Sequence, residues 1–147
     1  MERPKIDKQI IEKAAKLTAS QASNIDPNDV DDLAKDISRA YIPHMDGYRL
    51  AKMMDDFGWD VDSMFVEDMD VMWNNVRIIH DEAQRVWAKD KNIQPPYPIG
   101  TKTTRGEIVG IYEHGAAQYL IVPTNHDDIK NGYRRLIVNF EDVVLDQ

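Results

Sequence analysis

A proline-rich segment at residues 92–98, Asn-Ile-Gln-Pro-Pro-Tyr-Pro, separates two different sequence patterns. Proline has no amide hydrogen to donate and its ring clashes with the preceding helical turn, so a helix cannot run through this segment. Before it, apolar residues recur every three or four positions, and after it β-branched and aromatic runs alternate with turn residues. The sequence therefore predicts an α+β protein, with an acidic helical domain over residues 1–94 and a small β-rich module over residues 95–147.

Four helices are predicted in the first domain, and we expect them to form a helical bundle. The first covers residues 6–17. The second begins at Asp26-Pro27, because aspartate is a good N-cap and proline is favoured at the first helical position. It ends before Pro43, since the residue that precedes proline avoids the α region. The third follows the Asp46-Gly47 turn and ends at Gly58, because glycine is suited to the left-handed conformation at a helix C-terminus.

The fourth predicted helix has the most regular pattern. Apolar residues from Phe65 to Val86 are spaced alternately four and three apart, which makes a heptad seam over three repeats. Either this helix is the spine against which the other three pack, or it forms a coiled coil with a second copy of the chain in a homodimer. The candidate seam residues are Met69, Met72, Val76 and Ile79.

The β-rich module is predicted to fold as a small SH3-like antiparallel β-barrel. Runs of β-branched and aromatic residues at 107–114, 118–122 and 133–140 predict three strands. Further strands are expected near residues 101–105 and at Val143-Val144, because closing the sheet removes its exposed edges. SH3-like barrels bind peptides in grooves lined by aromatic side chains, although tyrosines here could equally lie at the edge of the core. The candidate groove residues are Tyr97, Tyr112, Tyr119 and Tyr133.

Three short motifs carry a resemblance to a known group of proteins. They are Ile93-Gln94-Pro95-Pro96-Tyr97-Pro98-Ile99-Gly100-Thr101, Gly110-Ile111-Tyr112-Glu113 and Phe140-Glu141-Asp142-Val143. Residues 93–144 resemble the tail of small, uncharacterised accessory proteins of tailed phages and prophages. The resemblance implies an accessory role during infection, such as inhibition of a host or defence protein in the manner of an anti-CRISPR protein. It transfers no catalytic residue.

Acidic residues are concentrated in one part of the chain. The formal net charge is -8, and residues 26–70 alone carry thirteen Asp or Glu against four Lys or Arg. Such a chain is not expected to bind nucleic acid directly, because phosphate neutralisation needs lysine and arginine. It is suited instead to a basic protein surface, including that of a nucleic-acid-binding complex, where carboxylates can compete with phosphates. The residues predicted to form this acidic face are Asp55, Asp56, Asp60, Asp62, Glu67, Asp68 and Asp70.

Metal and catalytic sites are not predicted. Asp56, Asp60, Asp62 and Glu67 match four positions of a calcium-binding EF-hand loop, but the position that needs glycine for its sharp turn is Val61. The chain has no cysteine, which excludes disulfides, thiolate zinc sites and cysteine nucleophiles. No cofactor motif or nucleophile motif is present either.

The sequence thus favours a non-catalytic macromolecular binding protein, and the resemblance implies a phage-encoded inhibitor. The first alternative is an oligomeric scaffold or adaptor, assembled through the heptad seam and displaying the barrel for peptide recognition. A metal-dependent enzyme is the second. A polar N-terminus and the lack of an apolar run of about 20 residues predict a cytoplasmic location, in the host cell for a phage protein, without membrane contact.

Overall fold

The computed structural model describes residues 2–146 and divides into two compact units, one ending at Ala83 and the other starting at Gln84. The helical unit contains α1 (Lys8–Gln21), a 3-10 turn (Pro27–Asp29), α2 (Val30–Ala40), α3 (Gly47–Asp56), α4 (Ser63–Asp70) and the first part of α5 (Met72–Asp90). The sheet unit contains β1 (Gly106–Ile111), β2 (Gln118–Pro123), α6 (His126–Lys130), β3 (Leu136–Asn139) and a 3-10 turn (Phe140–Asp142). The predicted α+β class is confirmed.

Aspartates determine where the helices begin. Asp7 accepts a hydrogen bond from the amide of Ile10 at the start of α1, at 3.0 Å. Asp46 caps α3 through the amide of Arg49 at 2.8 Å, and Asp62 caps α4 in the same way. Each cap satisfies an amide that has no partner within its own helix. Part of the acidic composition is therefore explained by helix capping.

The apolar core of the helical unit is formed by one side of each helix. Its largest fully buried side chains are Leu33, Ile37, Leu50, Met54, Met69, Met72 and Val76. The candidate oligomer seam belongs to this core, because Met69, Met72 and Val76 are at most 1% exposed and Ile79 is half-buried against them. These side chains pack within one chain.

The predicted continuous fourth helix is wrong at one point, because the structure breaks it at Val71 into α4 and α5. We attribute the break to the close packing of α4 against the start of α3, where the Asp70 carboxylate accepts a hydrogen bond from the amide of Gly47 at 2.9 Å. Apolar spacing could not indicate this break. Met69 and Met72, on either side of it, are both buried as an unbroken seam would require.

A buried polar contact connects α1 with α5. The side-chain nitrogen Nδ2 of Asn75 donates to the Thr18 hydroxyl at 2.9 Å and to the Gln21 side-chain oxygen at 3.0 Å. Thr18 is fully buried and donates in turn to the carbonyl of Ala14. Buried polar groups are costly unless they are hydrogen-bonded, so this contact fixes how the two helices pair.

Replacing Asn75 with alanine is expected to lower the free energy of unfolding by about 2 kcal/mol, because two hydrogen bonds and buried volume are lost together. Urea denaturation followed by circular dichroism measures this change. Asn74→Ala is the matched control, since Asn74 lies on the exposed side of the same helix. Equal effects of the two substitutions would contradict a stabilising role for the buried contact.

The sheet unit has an antiparallel three-stranded sheet in the order β1-β2-β3. Register between β1 and β2 shifts around Val109, where a β-bulge lies between Ile108 and Gly110. One face of the sheet is buried, and its core residues are Ile108, Tyr119, Ile121, Leu136, Val138 and Phe140. The alternation of buried and exposed residues along the strands follows the two-residue period of β-structure.

The predicted closed five-strand barrel is wrong, since the sheet of the described residues is open. The two additional strands expected near residues 101–105 and 143–144 are reduced to isolated bridges, Lys102 with Glu107 and Thr103 with Leu145. The physical reason is a tight turn, in which the amide of Gly106 donates to the carbonyl of Thr103 at 3.2 Å. This turn leaves too few residues between Lys102 and β1 for a full strand.

Candidate functional site: an acidic groove in the helical unit

Three of the seven residues of the predicted acidic face stabilise the fold. Asp62 caps α4. Asp68 accepts hydrogen bonds from the amide and the hydroxyl of Ser23, at 3.0 and 3.1 Å. Asp70 accepts from the amide of Gly47. Asp68 uses both of its oxygens in these contacts, and Asp62 and Asp70 each use one, so these three carboxylates have less capacity to bind another molecule.

The other four residues, Asp55, Asp56, Asp60 and Glu67, are exposed. Among the described residues, none of the ion pairs includes any of the seven predicted carboxylates. Ion pairs between described residues therefore do not neutralise the negative charge of this face. Only Asp60 of the seven, however, lines a groove that the helical unit forms.

This groove encloses about 1520 Å³ and is lined by three stretches of the helical unit, residues 6–16, 29–43 and 57–60. Its apolar lining includes Ile6, Ile11, Ala34 and Trp59, which pack against the core of the unit. Apolar side chains and carboxylates thus line the same concave surface.

Aromatic residues in the groove are held by α2. The indole nitrogen of Trp59 donates to the Asp36 carboxylate at 2.8 Å. The Arg39 guanidinium lies 5.5 Å from the centroid of the Phe57 ring and 3.8 Å from the other oxygen of Asp36. Phe57 remains 43% exposed. The turn after α3 is in this way positioned by two polar side chains of α2.

The whole net charge of the protein resides in the helical unit, since residues 2–83 carry 18 acidic and 10 basic side chains and residues 84–146 carry 8 of each. Two ion pairs lie in the groove, Lys8 with Glu12 at 3.9 Å and Arg39 with Asp36 at 3.8 Å. Outside these pairs, Lys16 and Lys35 are the remaining cations of the lining. The carboxylates outside the pairs are Asp7, Asp29, Asp31, Asp32 and Asp60. The groove therefore has an excess of negative charge.

Sequence reasoning missed the contribution of α2 to this site. Asp29, Asp31, Asp32 and Asp36 belong to the acidic stretch 26–70 but not to the predicted face. A signal was present, because Asp32 and Asp36 are four residues apart and so share one side of a helix. That Asp36 meets Trp59 in the turn at residues 57–60 depends on tertiary packing.

The four candidate groove tyrosines of the sheet unit differ in environment. Tyr119 is fully buried, and its hydroxyl donates to the carbonyl of Tyr97 at 2.7 Å and accepts from the Tyr97 amide at 2.8 Å. Tyr112 stacks edge-to-face on His114, and Tyr133 is 53% exposed. Tyr119 is thus a core residue that anchors the segment before β1, and its ring does not line a surface groove.

Among residues 2–146, no group of three or more histidine or acidic side chains is arranged to hold a metal ion. Of the EF-hand-like positions, Asp62 is engaged in capping α4 and Asp60 lies in the groove. No helix in this part of the chain combines the length and the apolarity that crossing a membrane requires.

Comparisons with protein-family models, with curated proteins and with solved structures find no match to this chain. The groove is the feature of the described residues from which a function can be argued.

Proposed function

We propose that this protein is a non-catalytic binding protein whose helical unit captures a basic surface of another protein in the acidic groove. The observation that carries the proposal is the excess of carboxylates on a concave, partly apolar surface of the unit that holds the whole net charge. Carboxylates gathered in a cleft attract cationic partners and speed their association.

Groove size favours a macromolecular partner over a small ligand. Small-molecule sites usually enclose about 300–1,000 Å³ and bury most of their ligand. The groove is larger, at about 1520 Å³, and several of its lining residues, including Asp31 and Asp60, are exposed. A segment of another protein fits such a surface better.

The partner we propose is a protein that itself binds nucleic acid. Its basic surface would be occupied by the groove carboxylates in place of phosphates, which makes the protein an inhibitor. The resemblance of residues 93–144 to accessory proteins of tailed phages agrees with inhibition of a host or defence protein, as anti-CRISPR proteins do.

For the sheet unit we propose an SH3-like topology as the finer description of its open sheet. Support comes from the consecutive antiparallel order β1-β2-β3 and from the Thr103–Leu145 bridge, which returns the last described residues to the segment before β1.

Neutralising two groove carboxylates is expected to release the partner. In Asp31→Asn/Asp60→Asn, two exposed side chains of the groove lose their charge, and we expect about tenfold less partner to be captured from host lysate. Wild-type capture should also weaken between ~50 mM and ~500 mM salt, because salt screens exposed charges. Capture is quantified by mass spectrometry of the bound proteins.

Asp55→Asn/Asp56→Asn is the matched control, since it removes the same charge from exposed positions that do not line the groove. Captured partner should be nearly unchanged in this control. Loss of binding in both variants would show that net charge, not the groove, determines capture. If the amount of captured partner changes neither with salt nor with the groove substitutions, the proposal is overturned.

A further inference from the structure

We infer that the segment captured in the groove is a basic amphipathic helix of the partner, an inference that rests on the proposed function. Helix-in-groove recognition needs an apolar strip to receive the anchors of the helix and polar rims that match its flanks. The groove provides both features.

The apolar strip comes from two helices and one turn. Ile6 and Ile11 lie at the α1 side, Ala34 on α2, and Trp59 in the turn after α3. All four pack against the core of the unit, so their positions are set before any partner arrives. A preformed apolar strip lowers the ordering cost of binding and receives side chains spaced three or four residues apart.

Acidic residues line the same groove as this apolar strip. Asp31 and Asp32 lie in the first turn of α2, Asp29 is the residue just before it, and Asp60 belongs to the turn at residues 57–60. Lysine and arginine on the flanks of an apolar helix face would lie opposite these carboxylates. An acidic or neutral helix would leave them without partners.

Arg39 shows where a cation can be placed in the groove. Its guanidinium lies over the Phe57 ring and beside the Asp36 carboxylate, which also fixes Trp59. The Arg39 side chain is 72% exposed, so an incoming arginine could exchange with it by way of the solvent. An arginine of the incoming helix then finds the same aromatic face and the same carboxylate, an arrangement that favours guanidinium over ammonium.

The length of the groove suits about three helical turns. Its α1 side extends from Ile6 to Lys16, and the nine helical residues from Lys8 to Lys16 span about 14 Å at 1.5 Å per residue. Isolated helices of that length are marginal in water, so the partner helix would either belong to a folded domain or become ordered on binding.

Two synthetic peptides test the inference. Each has about 15 residues, which is near the minimum length at which an isolated helix forms in water. Both consist of the same numbers of leucine, arginine and alanine. In the first the leucines fall on one helical face, and in the second they are permuted around all sides. Fluorescence anisotropy of labelled peptides should show about tenfold tighter binding of the first, which corresponds to about 1.4 kcal/mol.

The two asparagine pairs locate the binding. Asp31→Asn/Asp60→Asn should weaken binding of the amphipathic peptide about fivefold, whereas Asp55→Asn/Asp56→Asn should leave it nearly unchanged. Equal affinity for both peptides, no binding of either, or a loss that follows the Asp55 and Asp56 pair would each overturn the inference. The proposed function is judged separately by lysate capture. It stands if capture depends on Asp31 and Asp60 while the peptides are not distinguished.

Discussion

Replacing Gly47 with alanine is expected to lower the free energy of unfolding of the helical unit by about 3 kcal/mol, because the added methyl group has no space. A Cβ at this position would lie 2.6 Å from the backbone nitrogen and Cα of Asp70 and 2.6 Å from the carbonyl oxygen of Val66. These are backbone atoms of α4, so a change of rotamer cannot relieve the contact. Helices α3 and α4 would have to separate, which would also strain the hydrogen bond from Gly47 to Asp70.

Urea denaturation followed by circular dichroism measures the effect, and Gly58→Ala serves as the comparison. Gly58 has a φ of 97° but a Cβ there would meet no atom within 4 Å. Its substitution is expected to cost about 1 kcal/mol, from the left-handed backbone conformation alone. A Gly47→Ala variant no less stable than Gly58→Ala would show that the spacing of α3 and α4 adapts, contrary to the close packing of the structure.

In the sheet unit, Gly106→Ala is expected to have an even larger effect, about 4 kcal/mol, because backbone strain and a steric clash act together. Gly106 has a φ of 151°, which side-chain-bearing residues rarely adopt. A Cβ there would overlap the carbonyl oxygen of Val122 and lie 2.8 Å from its carbonyl carbon. Since Gly106 pairs with Pro123 at the start of β1, the clash would disrupt the first register position of the sheet.

Gly110→Ala is the matched control, because Gly110 lies in the same strand and a Cβ there would meet no atom within 4 Å. The free energy of unfolding of the Gly110→Ala variant should stay within about 0.5 kcal/mol of the wild-type value. Amide hydrogen exchange of β1 and β2 reports on the sheet unit itself, and protection should fall in Gly106→Ala only. Retained protection in that variant would contradict the close approach of β1 to β2.

Some carboxylates of the predicted acidic face are unsuitable for substitutions that test function. Asp62, Asp68 and Asp70 accept hydrogen bonds that hold α4 in place. Changing them would therefore lower both stability and binding, and the two effects could not be separated. Asp31 and Asp60 are exposed and line the groove. Thermal denaturation of the asparagine variants should confirm that any loss of capture reflects the surface and not unfolding.

Local signals in the sequence determined where several elements begin and end. Asp46 caps α3 and Gly58 has a left-handed backbone conformation after it, as the sequence indicates. The helical run that starts at Asp26-Pro27 ends before Pro43, although its first turn is a 3-10 turn. Caps, prolines and glycines act on the backbone within one turn, so their consequences can be read without knowledge of the fold.

Tertiary structure alone decided the rest. The close approach of Gly47 to α4 accompanies the break at Val71, and the turn near Thr103 leaves the sheet open. Tertiary structure also decided which carboxylates are available to bind another molecule. Asp70 has a backbone partner 23 residues away in the sequence, whereas Asp60 lines the groove. Composition fixes how many charges a chain carries. Their arrangement as a binding surface depends on contacts between residues distant in sequence, which no local pattern encodes.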